Sequence, residues 1–147
     1  MKKKIFLIII ILIIIGVLVP IIFRQRFVVS PKKEEPKIED SRGDLVSFSI
    51  SPNEEVHGIV PYEGVIKGGY FFEANILINI LDADKKLLKS DHSTATTDWM
   101  TSGPVSFAGN LDFTGLSKGP AYIQIHNDNA SGLPEHDKYI LIPIVIK

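Results

Sequence analysis

The sequence predicts an all-β protein: a seven-stranded antiparallel immunoglobulin-like sandwich, preceded by one transmembrane helix and a flexible linker. Three observations carry that expectation. Short runs of alternating apolar and polar residues recur after residue 45. Clusters of Gly, Pro, Asn and Asp separate those runs at spacings of 8–15 residues. One uncharged stretch rich in Ile, Leu and Val, residues 5–23, stands apart from both.

That stretch comes first. As a helix its nineteen residues would extend ~28 Å, close to the ~30 Å hydrocarbon core of a bilayer. A helix also satisfies its own backbone hydrogen bonds, as lipid requires. A cleaved signal peptide has a shorter apolar run and small residues before the cut. Here Arg24, Gln25, Arg26 and Phe27 follow instead, so an uncleaved single-pass anchor is expected over residues 1–26. Gly16 has Leu12 and Pro20 four residues away, which gives no small-residue dimerisation pattern. Lys2, Lys3 and Lys4 resemble the basic start of a signal anchor, which would place the C-terminal bulk outside the cytoplasm. Arg24, Arg26, Lys32 and Lys33 on the other flank nearly balance them.

Charge then divides the chain. Residues 1–26 carry a net +5, residues 27–44 a net −1 and residues 45–147 a net −5. Residues 27–44, with two prolines and interspersed Lys and Glu, read as a disordered charged linker, too polar to offset the entropy of ordering. Fully extended it reaches at most ~60 Å. Residues 45–147 are the size of one domain. The chain has no cysteine, so packing alone must hold that domain together. An acidic domain without a basic stripe argues against nucleic acid.

The strands follow in order. Val46, Phe48 and Ile50 are expected to face inward, before Pro52 and Asn53 turn the chain. The second strand spans about residues 61–68. The third places Phe72, Ala74, Ile76, Ile78 and Ile80 on one face. Asp82-Ala83-Asp84-Lys85 makes a tight turn through Asx hydrogen bonds. The fourth strand, residues 86–97, is polar after Leu88 and suits a sheet edge. The fifth buries Val105, Phe107, Leu111 and Phe113; the sixth buries Ala121, Ile123 and Ile125; the seventh runs from Tyr139 to Ile146. If strands alternate in direction, the second, fourth and sixth connections share one end of the sandwich, where such folds display binding loops.

Phe72-Glu73-Ala74, Asp82-Ala83-Asp84, Asp98-Trp99-Met100-Thr101, Ser106-Phe107 with Leu111-x-Phe113, and Asp128-Asn129-Ala130-Ser131-Gly132-Leu133-Pro134 form an ordered set. This set resembles the immunoglobulin-like domain of bacterial spore germination, over about residues 46–147. The resemblance implies a bacterial, extracytoplasmic, non-catalytic module of the cell envelope. Lys85 stands where that family commonly has glycine, and Ala130 where proline is common.

The expected binding residues are Tyr70, Asp98, Trp99, Met100, Asn129, Ser131 and Pro134. Trp99, the single tryptophan, is either a binding anchor or a plug for the open end of the sandwich. Asp128, Asn129, Glu135 and Asp137 lack calcium-loop spacing, and capping of a long turn explains them. Ser131, His136 and Asp137 have no nucleophile elbow around them. No catalytic residue, cofactor site or metal site is expected. The expected partner is an envelope protein. A carbohydrate- or peptidoglycan-binding module using Trp99 and Tyr70 is the alternative, and a subunit assembling through its sheet edges is a third.

Overall fold

The computed structural model describes residues 41–147. The expected anchor and nearly all of the expected linker lie outside these residues. Among the described residues, no helix is long and apolar enough to cross a membrane.

The chain forms β1 (Leu45–Phe48), β2 (Glu54–Val56), β3 (Ile59–Lys67), β4 (Asn75–Asp82), β5 (Leu87–Ala95), β6 (Pro104–Asp112), β7 (Gly119–His126) and β8 (Tyr139–Ile146). The all-β class stands. The count and the layout need correction. Eight strands build one continuous mixed sheet in the order β1-β3-β6-β5-β4-β7-β8-β2, in place of seven strands in two separate antiparallel sheets. The sheet curls at the junction of β5 with β6, which pair only at Thr94↔Ala108 and Ala95↔Phe107. Curling brings both flanks onto one core, where Ile66, Val105 and Phe107 share a cluster with Ile78, Ile123 and Ile142. Ser93 is buried at the junction and donates its hydroxyl to the Ala108 carbonyl at 2.8 Å, closing the gap between the strands.

Inward positions of β6 and β7 are as the alternation predicts, and β8 has the predicted span. Val105, Phe107, Leu111, Phe113, Ala121, Ile123 and Ile125 are all buried, as are Ile140, Ile142, Ile144 and Ile146. Gly64 permits the ring packing of β3 on β6, since a Cβ there would run into the Phe107 ring. Phe48, Tyr62 and Phe71 each lie with ring centroids 6.2–6.3 Å from Phe107. That spacing is within the range where aromatic pairs add to burial.

Four local expectations fail for physical reasons. The unpredicted strand β2 pairs in parallel with β8, Glu54↔Ile144 to Val56↔Ile146, and at three residues it is too short to show alternation. The fourth predicted strand is not an edge: β5 lies inside the sheet order, between β4 and β6. A register shift between Leu45 and Ser47 turns Val46 outward to 63% exposure, while Leu45 packs on the core instead. Phe72 and Ala74 precede β4 and do not extend its inward face. Glu73 and Ala74 have φ of 47° and 65°, and a bridge from Phe72 to Asn75 closes the turn around them.

Candidate functional site

Three connections meet at one end of the sheet: residues 68–74, 96–103 and 127–138. The Gly68 N–H donates to the Gly103 carbonyl at 2.8 Å, tying the first to the second. The Asp128 N–H donates to the Tyr70 carbonyl at 3.1 Å, tying the third to the first. The approach at Gly68 is so close that any Cβ there would collide with the Thr101 carbonyl oxygen. The shared end anticipated from strand alternation is therefore present, and we call it the loop pole.

A groove of about 650 Å³ opens between the first two connections. Gly68, Gly69 and Phe71 form one wall, and Trp99, Met100, Thr101 and Ser102 the other. Asp44, Lys67 and Lys138 supply its charge. Lys67 Nζ meets Asp44 Oδ1 at 2.6 Å, and the Tyr70 hydroxyl donates to Asp44 Oδ2 at 3.5 Å. Asp44 ends a one-turn 3₁₀ segment, Ser41–Asp44, so the chain enters β1 at the loop pole.

The predicted site residues divide under this geometry. Met100 is 77% exposed, and its N–H donates to Asp98 Oδ1 at 3.1 Å, so the loop is shaped by the Asp98 side chain. Trp99 is partly buried and packs on the core while its surface lines the groove, so it is plug and wall at once. Tyr70 is 1% exposed and belongs to the core, and it lines the floor of the groove from there. Pro134 is exposed at the start of the 3₁₀ turn Pro134–His136.

Asn129 and Ser131 are brought together, and their polar groups are used within the loop. Asn129 Nδ2 donates to the Leu133 carbonyl and to Asp137 Oδ1, both at 2.8 Å. Asn129 Oδ1 accepts from the Ser131 N–H and hydroxyl at 3.1 and 2.6 Å. Ser131 Oγ also lies 3.0 Å from His136 Nδ1. Asp137, which a triad would need behind His136, is bonded to Asn129 instead. These side chains brace the loop. At its base, Asn127 Nδ2 donates to the His136 carbonyl and Asn127 Oδ1 accepts from the Lys138 N–H. Among the described residues, no group of three or more His, Asp or Glu side chains is placed to hold a metal ion.

Sequence reasoning missed Asp44, Lys67 and Lys138 in the groove, and the exposed Phe72 and Leu133 on the first and third connections. Phe72 and Leu133 are 42% and 47% exposed. Large apolar residues exposed on turns were a usable signal, but Phe72 was absorbed into a strand pattern and Asp44 into a charge block.

Compared with models of known protein families, with curated proteins and with solved structures, the chain matches none.

Proposed function

We propose that this protein is a membrane-anchored, extracytoplasmic, non-catalytic binding module that grips a protein of the cell envelope at its loop pole. The observation that carries the reading is the convergence of three connections around a groove, with Phe72, Met100 and Leu133 each exposing apolar surface on a different one. Exposed apolar side chains held on a rigid scaffold are what partner proteins bury. The resemblance to the immunoglobulin-like domain of spore germination and the apolar stretch at residues 5–23 supply the envelope setting.

A glycan-binding reading is less well supported. It relied on Trp99, Tyr70 and the polar 127–137 loop, and of the two aromatics Tyr70 is inside the core and Trp99 is partly buried against it. Assembly through sheet edges is opposed by the exposed Glu54 and Glu55 on the β2 edge, since charges there discourage pairing.

The test is photo-crosslinking in intact cells from a benzophenone amino acid at position 100, with position 87 at the opposite end as control. Both residues are exposed. A discrete adduct from position 100 alone is expected; identical patterns from both positions would overturn the loop pole as the binding surface. External protease should shave the domain from intact cells, and protection would overturn the topology.

A further inference from the structure

The two flanks of the curled sheet differ on their outer faces. β8 is apolar on both of its sides: Ile140, Ile142, Ile144 and Ile146 point into the core, and Tyr139, Leu141, Pro143 and Val145 point away from it, each partly buried. An antiparallel strand with one face in water alternates apolar with polar residues, and continuous apolar runs belong to strands covered on both faces. The register carries this outer surface across the sheet. Beside β8, β7 turns Tyr122, Gln124 and His126 outward. β4 follows with Leu77, Asn79 and Leu81, and β5 with Ser90 and His92. None of these residues is Asp, Glu, Lys or Arg. On the other flank the same sheet is solvated in the ordinary way, with Glu63 and Lys67 of β3 and Asn110 and Asp112 of β6 on its outer face.

The polar groups in the middle of the apolar flank are bonded to one another. The Ser90 hydroxyl donates to Asn79 Oδ1 at 2.7 Å, and Asn79 Nδ2 donates to Gln124 Oε1 at 2.8 Å. Side chains already paired in this way lose little when water leaves. The four strands have eight or nine residues each. At ~4.8 Å between strands and ~3.4 Å per residue they cover ~19 by ~27 Å, or ~500 Å². Two such faces together make ~1,000 Å², the size at which specific interfaces begin.

We propose that the outer face of β5-β4-β7-β8 packs on the same face of a second copy of this chain, forming a reversible two-fold dimer. A copy fits in charge and in shape. Residues 45–147 carry a net −5, yet the face itself has no acid, so two copies meet here without bringing like charges together. Sheets stack face to face ~10 Å apart with strand directions within ~30°. A two-fold contact presents one surface to itself, so flat meets flat and apolar meets apolar. Twisted sheets crossing at that angle splay at their corners, which leaves Leu87, at the corner where β5 begins, exposed to water. The contact uses neither the loop pole nor a sheet edge. The inference therefore goes beyond the proposed partner binding and does not rest on it.

The experiment is photo-crosslinking of the purified full chain in detergent micelles, on an equal mixture of ¹⁵N-labelled and unlabelled protein, from a benzophenone amino acid at position 141. Position 108, exposed on the outer face of β6, is the control. A two-chain adduct is expected from position 141 at several-fold higher yield than from position 108, joining the two isotope classes at peptides of β4, β7 or β8. The yield should fall as the protein is diluted with detergent, and the melting temperature should fall with it, because a dimer is stabilised by mass action. Gln124→Glu keeps an acceptor for Asn79 Nδ2 and sets two carboxylates within the contact. It should abolish the adduct and melt cooperatively at the temperature of the diluted wild type. Equal yields from positions 141 and 108, or an adduct that survives Gln124→Glu, would overturn the proposal. So would the absence of any two-chain adduct, and a heavier adduct from position 141 in intact cells would then make a foreign protein the occupant of this face.

Discussion

At the end of the sheet opposite the loop pole, every connection is short or self-contained. Asp82 Oδ1 accepts from the N–H groups of Asp84 and Lys86 at 2.9 and 2.8 Å, closing the β4–β5 turn. Asp112 accepts from the Thr114 N–H at 2.9 Å and from Lys89 Nζ at 2.8 Å. Asp82 and Asp112 are thereby each engaged by a neighbour. At the loop pole the connections are longer, they brace one another through backbone contacts, and Glu73 and Glu135 stay exposed to water. The difference separates turns that serve only the fold from turns that also turn Glu73, Glu135, Met100 and Leu133 out to water.

Perturbations at the two ends sharpen that contrast. The largest effect is expected at Gly68. Gly68→Ala places a Cβ against the Thr101 carbonyl, and relieving a backbone clash of this kind costs ~1–3 kcal/mol. Chemical denaturation should show that loss, and the Trp99 emission should shift with it. An unchanged midpoint would mean that the first two connections are not braced.

Asp82→Ala, at the opposite end, removes the acceptor of two backbone donors. A loss of ~1–2 kcal/mol is expected from net hydrogen-bond values, with no shift of Trp99 emission. Lys85→Gly at the same turn acts in the other direction. Lys85 holds φ at 62°, so glycine should add up to ~1 kcal/mol by removing the left-handed penalty. A destabilised variant would show that this conformation is not strained.

Leu133→Ser should leave stability within ~0.5 kcal/mol, as exposed substitutions do, while weakening the adduct formed from position 100; an adduct of unchanged yield would remove Leu133 from the binding surface. The smallest effect concerns Asp112. Lys89 first, then Thr114, hold its carboxyl well below the usual carboxylate range. A depressed acid contributes stability that is present above its unfolded value, ~3.9, and is lost as pH falls through its lower folded value. Asp112→Asn should therefore melt below the wild type at neutral pH, and the gap should narrow as the solution is acidified below pH ~4. A gap that stays constant across this range would remove the Lys89 contact as its cause.

Much of this architecture was readable because β6, β7 and β8 each have one face on the core, so period two is written into Val105 to Ile146. The turn at Asp82 was readable because Asx chemistry is local. What stayed hidden depends on distant partners. Glu54-Glu55-Val56 becomes a strand only because β8 offers an edge. The polar surface of β5 suggested an edge because its pairing with β6 is confined to two residue pairs where the sheet curls. At the site, Trp99 and Met100 were found from residue type. The burial of Tyr70 was not legible, because burial of a loop aromatic is decided by what packs over it. The bracing role of Asn129 and Ser131 was not legible, because their hydrogen bonds run within one loop and leave no periodic trace.

The parallel pairing of β2 with β8 sets an order of events. Glu54 joins Ile144, ninety residues further along the chain, whereas β4 with β5 and β7 with β8 unite near neighbours. Contacts over such separations carry a heavier loop-closure cost and form slowly. During synthesis, β2 emerges early and has no seat until the most apolar strand is complete. Until then the edge of β7 that β8 pairs with stays open, and chaperones would meet this protein as an open sheet.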